Sequence, residues 1–319
     1  MSGGGDGGRA AVRGGGEGRA AVSGGEGRAA VRGRDGGSTV RTRADDGSTA
    51  VVRGDEADAA QASRGNDAGL GVEGLTIRFG GNTAVNAVSF DAPLGRITGL
   101  IGPNGAGKTT TFNACSGLLR PSAGTIRLFG QDITGRPPSA RAQLGLGRTF
   151  QKMDLFDSLT VQQNIALGLE ARLARSHPVR QLWCPPAERK AVRQATEEVL
   201  ELCRLGDLRH RPAASLSTGQ RRLVDLGRVL AGRFELLLLD EPSSGLDTAE
   251  TERFGAIVTR VVAERGCGVL LVEHDMALVM SVCEHLFVLD FGEMIFQGTP
   301  AEARASETVR AAYLGSEAA

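Results

Sequence analysis

The 319-residue sequence predicts an α/β protein built around a largely parallel sheet and preceded by a long segment without a core. Three observations predict this. Four near-continuous apolar runs, RITGLIG, ELLLLD, GVLLVE and HLFVLD, alternate with helix-length stretches, as parallel strands covered on both faces do. The first of them ends in a glycine-rich loop that opens a helix. Composition also changes abruptly near Val72, where glycine, alanine and arginine give way to alternating apolar residues.

The segment 1–71 has no aromatic residue, and GRAAV recurs in it from Gly8, Gly18 and Gly27. It holds too little apolar surface to offset its ordering entropy, so a disordered low-complexity tail is expected. The repeat is also far shorter than a solenoid unit. A start of translation near Val72, leaving the tail unmade, is the alternative. Within the tail 10 Arg face 10 Asp and Glu, and the whole chain balances 37 basic against 37 acidic residues. Neither balance favours a nucleic-acid partner.

The five cysteines, Cys115, Cys184, Cys203, Cys267 and Cys283, form no CxxC pair and read as reduced, buried thiols. The longest apolar runs, such as Leu236 to Leu239, fall well short of the roughly 20 residues of a spanning helix. The tail also lacks the apolar core of a signal peptide. A location inside the cell is expected, with any membrane role supplied by a partner.

In order, VEGLTIRF and TAVNAVSFDA read as strands joined by a turn at Gly80 and Gly81. With no helix between them they form an antiparallel layer. RITGLIG follows as a buried strand, then a helix, a short strand over 125–129, and helices over 161–174 and 187–203. The linker SHPVRQLWCPP between those helices holds three of the 11 prolines and reads as a loop or broken helix. The stretch 152–216 interrupts the strand–helix alternation and is read as a helical subdomain. Beyond it come a helix from Thr218, strand ELLLLD, a helix through Val262, strand GVLLVE, a helix after Asp275, strand HLFVLD, a returning strand EMIFQG and a terminal helix. Residues 72–319 thus form one domain.

GPNGAGKT, residues 102–109, satisfies G-x-x-x-x-G-K-[ST] between a predicted strand and a predicted helix, the context a phosphate loop requires. Gly102, Pro103, Asn104, Gly105, Ala106 and Gly107 form the loop, and Lys108, Thr109 and Thr110 open the helix. Glycines let backbone N–H groups turn toward an anion, and the helix N-terminus adds positive potential. Lys108 would reach the terminal phosphates of a nucleotide and Thr109 would ligate Mg2+. ELLLLDE ends a buried strand in two carboxylates: Asp240 suits the metal and Glu241 suits a general base that polarises the attacking water. Two solvated acids at a strand end are the bland alternative, and the phosphate loop decides against it. In LSTGQ, residues 216–220, a hydroxyl, bare N–H groups and a helix dipole also suit an anion, though Ser217 or Thr218 could be an ordinary N-cap.

LSTGQ resembles the LSGGQ signature of ABC-type ATPases and precedes the metal-binding strand at the spacing of that family. The resemblance implies a P-loop NTPase ABC cassette, with a mixed RecA-like core sheet, an antiparallel β layer and an α-helical subdomain. In such cassettes two nucleotide-binding domains pair head to tail. The signature of one, here Ser217, Thr218, Gly219 and Gln220, meets ATP held by the phosphate loop of the other. Thr218 departs from the usual glycine. Gln151 in RTFQ matches the glutamine that contacts Mg2+ and water and links the site to the membrane subunit. His274 in VEHD matches the histidine that contacts the γ-phosphate. SSGLD, ending at Asp247, matches the loop that crosses the dimer interface, and Phe79 stands where an aromatic stacks on adenine.

RFGGNTAVNAVSF, RTFQKMDLFDSLTVQQNIALG, EHDMALVM and the closing VRAAYLG resemble the ATP-binding subunits of branched-chain amino-acid importers and their near relatives, the urea importers. That resemblance implies an ATPase peripheral on the inner face of the membrane. Its partners would be two permease subunits, a second ATPase subunit and, indirectly, an extracytoplasmic solute-binding protein, with no nucleic acid. A urea or amide importer subunit and a soluble non-transport ABC ATPase are the alternatives. The second usually carries two cassettes or a long coiled coil, and this chain has one phosphate loop and no sustained heptads. A non-hydrolysing regulatory subunit is disfavoured by the presence of Glu241 and His274.

Overall fold

The computed structural model describes residues 29–32, 38–43, 49–52, 69–149, 154–174 and 185–316. The chain divides into two units, Met1–Ala60 and Gln61–Ala319. In the first, β1 (Ala29–Arg32), β2 (Ser38–Arg43) and β3 (Thr49–Val52) form an antiparallel meander. Their sequences, AAVR, STVRTR and TAVV, carry the β-branched residues that suit strands.

The second unit opens with β4 (Gly69–Phe79), three residues before the expected boundary at Val72, and β5 (Asn82–Pro93). Gly80, at φ +57°, turns one into the other. With β7 (Ala123–Leu128) and β8 (Gln131–Asp132) they make a four-stranded antiparallel sheet in the order β5-β4-β7-β8.

The central sheet holds β6 (Ile97–Ile101), β9 (Leu146–Arg148), β10 (Leu236–Asp240), β11 (Gly268–Val272), β12 (His285–Asp290) and β13 (Glu293–Gly298). Their order is β13-β12-β6-β11-β10-β9, parallel except for β13. Every residue of β6, β10 and β11 is buried, and successive side chains feed opposite layers. Leu237, Leu239, Val269 and Leu271 join one apolar cluster, whereas Leu236, Leu238, Leu270 and Val272 join the other with Val85 and Phe112.

Among the described residues the α-helices are α1 (Lys108–Ser116), α2 (Pro138–Gln143), α3 (Val161–Ala174), α4 (Pro186–Leu202), α5 (Thr218–Ala231), α6 (Thr248–Arg265), α7 (Met276–Val282), α8 (Pro300–Ala305) and α9 (Glu307–Ser316). Val161 and Ile165 of α3 and Val199 and Leu200 of α4 join the first cluster beside Leu223 and Val224 of α5, which seats the helical region on that layer. α2 and the three-residue β9 escaped the sequence reading because neither is long enough to show a period. α2 nonetheless braces the helix after the phosphate loop. Its Arg141, 1% exposed, donates to the carbonyls of Ala114 and Cys115, both at 2.7 Å, capping the end of α1. The expected broken linker falls largely at 175–184, outside the described residues. No described helix is long and apolar enough to cross a membrane.

Candidate functional site

The loop 102–107 follows β6 and is wedged between β5 and the end of β12. A Cβ on Gly102 would lie 2.1 Å from the Leu289 carbonyl oxygen, and one on Gly107 2.8 Å from that of Ala84. Both residues sit at positive φ, +148° and +94°, so glycine is required twice over, by conformation and by space. Lys108, the first residue of α1, donates from Nζ to the carbonyl oxygens of Gly102 (2.6 Å) and Pro103 (2.8 Å). Burial pulls its pKa down, while the charge of Glu241 pulls it back up. A cavity of about 360 Å³ opens here. It is lined by residues 104–110, by Asn82, Thr83 and Ala84 of β5, and by Glu241 and Phe291.

Asn104, Gly105, Ala106, Gly107, Lys108, Thr109, Thr110 and Glu241 therefore share one cavity. Gly102 and Pro103 lie behind it and hold the lysine. Phe79, the last residue of β4, is half exposed and is not among the residues lining this cavity.

Asp240 ends β10 and is buried. Its Oδ2 lies 3.0 Å from Nη2 of Arg148, and its N–H donates to Thr149 Oγ1 at 3.2 Å. Arg148 also donates to Ser116 Oγ and lies over the Phe112 ring, 4.8 Å from its centroid. Burial pushes the Asp240 carboxyl pKa up, and the Arg148 charge opposes that shift. Sequence reasoning missed Arg148, which sits on the unread strand β9. The signal was the arginine that opens RTFQ, a motif quoted only for its glutamine. Glu241 holds a left-handed backbone, φ +44°, fixed by its N–H donating to the Val272 carbonyl at 2.8 Å. A non-glycine residue held there carries strain of the kind that gathers at functional sites.

His274 lies one residue past β11's neighbour Glu273, and its side chain is 57% exposed. Glu273 itself is fully buried. Its Oε1 accepts from the N–H of Ser243 (2.7 Å), and Oε2 accepts from those of His274 (2.9 Å) and Asp275 (3.3 Å). His274 Nδ1 lies 3.7 Å from the same oxygen. One carboxylate thus ties the loop after Glu241 to the loop bearing His274. Sequence reasoning quoted VEHD for its histidine alone and missed the acid ending an apolar strand, the same sign that marked Asp240.

Ser217 caps α5: its Oγ accepts from Gln220 N–H (3.2 Å), and Gln220 Oε1 accepts from Ser217 N–H (3.1 Å). The N-cap alternative is thus what this chain displays by itself. A Cβ on Gly219 would strike the Glu250 carboxylate at 2.0 Å. Asp247 caps α6 by accepting from Glu250 N–H at 2.8 Å. Ser217, Thr218, Gly219, Gln220, Asp247 and His274 are not among the residues lining the cavity that holds Lys108 and Glu241. Gln151 lies outside the described residues.

Residues 85–244 match the family described as ABC transporter, and residues 293–319 match that described as branched-chain amino acid ATP-binding cassette transporter. The chain is 39% identical over 249 residues to the high-affinity branched-chain amino acid transport ATP-binding protein BraF of Pseudomonas aeruginosa, covering 77% of this chain and 97% of that one. It is 37% identical to LivG of Escherichia coli over the same shares. Among solved structures, the ADP conformation of an ATP-binding cassette of an ABC transporter superposes with a TM-score of 0.68 at 30% identity, covering 77% of this chain and 98% of that one. A dimeric post-hydrolysis cassette bound to ADP and phosphate, 22% identical, shares the fold with a TM-score of 0.62, covering 72% of this chain and 98% of that one. The chain belongs to the ATP-binding proteins of the branched-chain amino-acid ABC transporter family, ATPases that hydrolyse ATP to drive transport.

Proposed function

We propose that this chain is the ATP-hydrolysing subunit of an importer of branched-chain amino acids, acting at the inner face of the membrane through two permease subunits. A second ATPase subunit pairs with it, and an extracytoplasmic binding protein delivers the solute. The observation that carries the catalytic part is the single cavity shared by residues 104–110 and Glu241. The C-terminal match over 293–319, which spans β13, α8 and α9, carries the assignment to branched-chain amino acids.

In this reading the N–H groups of the loop and Lys108 bind the β- and γ-phosphates of ATP. Glu241 accepts a proton from water as its oxygen attacks the γ-phosphorus; the bond to the bridging β-oxygen breaks, and ADP and phosphate leave. His274, oriented through Glu273, contacts the γ-phosphate. Thr109 and Asp240, with Gln151, are the residues to hold Mg2+; hydroxyl, carboxylate and amide oxygens are the hard donors that this ion takes. The bound ion would neutralise charge on the phosphates.

Ser217, Gly219 and Asp247 serve a different site, that of the paired ATPase. A signature outside the cavity of its own chain is what head-to-tail pairing requires. For the permease, an apolar groove of about 310 Å³ lined by Leu118, Pro138, Ala142, Leu146 and Phe234 offers a seat, and Leu118 and Phe156 are both more than half exposed.

The experiment is reconstitution with the candidate permeases and binding protein in proteoliposomes. ATP-dependent uptake of leucine, isoleucine and valine supports the reading. Uptake of urea or amides with none of these three would refute it.

A further inference from the structure

The hairpin joining β12 to β13 contradicts its own turn chemistry. Asp290 pairs with Glu293, leaving Phe291 and Gly292 as the central residues, at φ +44° and +82°. Positive φ at both positions marks a type I′ turn, which selects Asn-Gly or Asp-Gly because a bulky side chain is strained at the first position. Gly292 obeys that rule and Phe291 does not. Burial does not explain the ring either. Phe291 is 88% exposed, more than Phe79, Leu118 or Phe156, the other exposed large apolar residues among those described. Where a sequence breaks a local rule without a packing gain, function is the usual reason.

The turn is fixed against the phosphate loop. Gly292 N–H donates to the Ala106 carbonyl (3.2 Å), and Asn86 N–H donates to the Gly292 carbonyl (2.8 Å). Asn86 Nδ2 also donates to Glu293 Oε1 at 2.9 Å. A Cβ on Gly292 would lie 2.6 Å from the Ala84 carbonyl oxygen, so the turn has little room to shift. Phe291 is thereby presented to the cavity that holds Lys108, Thr109 and Thr110, whereas Phe79 is absent from its lining.

We propose that Phe291 is a base-stacking residue, its ring covering one face of the nucleotide base when the phosphates occupy the loop. The inference rests on the nucleotide site described above. An aromatic face stacks on any base, so the residue contributes affinity without choosing between purines. It also accounts for the exposure: in the free chain, the surface a ligand would cover faces water.

The test measures binding of ATP, GTP and inorganic tripolyphosphate to the full chain by calorimetry, together with thermal melting. Phe291→Asn suits the turn and removes the ring. It is expected to melt higher than the parent and to bind ATP and GTP about 5- to 100-fold more weakly, the range for loss of one base–aromatic stack. Tripolyphosphate affinity should change less than about twofold, because the loop that holds phosphates is untouched. Phe291→Trp should keep nucleotide affinity. ATP binding by Phe291→Asn within twofold of the parent would overturn the proposal, as would equal loss of ATP and tripolyphosphate, which would make the turn a mere prop for the loop. A lower melting temperature would remove the strain argument and overturn it too. Lys108→Ala tests the underlying site separately. If that variant still bound tripolyphosphate like the parent, the site itself would be misplaced, whatever Phe291 does.

Discussion

Replacing Arg148 with Met removes one half of a buried ion pair, together with the guanidinium that lies over Phe112, and leaves an unbranched apolar side chain in its place. The side chains of Arg148 and Asp240 are only 11% and 5% exposed, so water cannot replace the lost partner. Asp240 keeps the Thr149 hydroxyl against its backbone, but that contact does nothing for the carboxylate. Breaking a buried pair from one side costs about 3–5 kcal/mol, against about 0–1 kcal/mol for an exposed pair. For a domain of this size each kcal/mol shifts Tm by about 2–4 °C, so a fall on the order of 6–20 °C is expected. Urea and thermal unfolding without nucleotide measure it. The double variant Arg148→Met, Asp240→Asn should recover part of the loss, because no charge is then stranded. A cost under about 1 kcal/mol for the single variant, or a double variant that is less stable still, would refute the pairing as the element that holds Asp240.

Three further outcomes follow from the same geometry. Glu241→Gln should bind ATP as the parent does and lose turnover by about 100-fold or more, since only the proton acceptor is removed, and it should accumulate in a closed pair visible by size-exclusion chromatography. Phe156→Asp should abolish uptake in proteoliposomes while leaving ATP binding intact, because a charge is placed on an exposed apolar residue of the face proposed to dock the permease. Iodoacetamide at pH 8 should leave Cys115, Cys203, Cys267 and Cys283 of the native chain unlabelled: all four are buried, and burial pushes the thiols of Cys115, Cys203 and Cys283 up to about 12, so the reactive thiolate is absent.

Much of the architecture was legible because its signals are long or chemically obligatory. LLLLD and GVLLV cannot be placed except as strands buried on both faces, and the structure buries every residue of each. GPNGAGKT leaves little freedom, since Gly102 and Gly107 are sterically irreplaceable where they stand. The residues that escaped reading act through partners distant in sequence. Arg148 means nothing until β9 is paired with β10, and Glu273 looks like an ordinary strand-end acid until Ser243 is found 30 residues away against it. Phe291 was passed over because an aromatic between strands reads as packing, and only its positive φ and exposure reveal otherwise. Ser217 shows a different limit: the chain displays a capping box, and any second role for that hydroxyl needs a second chain.

In the proposed head-to-tail pair, hydrolysis needs the loop and Glu241 of one chain and the signature of another. Turnover per chain, measured against chain concentration at saturating Mg-ATP for the parent and for Ser217→Arg, tests it most directly. Parent turnover should climb steeply with concentration, and Ser217→Arg should stay inactive throughout while binding ATP normally. Turnover that is flat down to monomeric dilution and equal in the two proteins would contradict it.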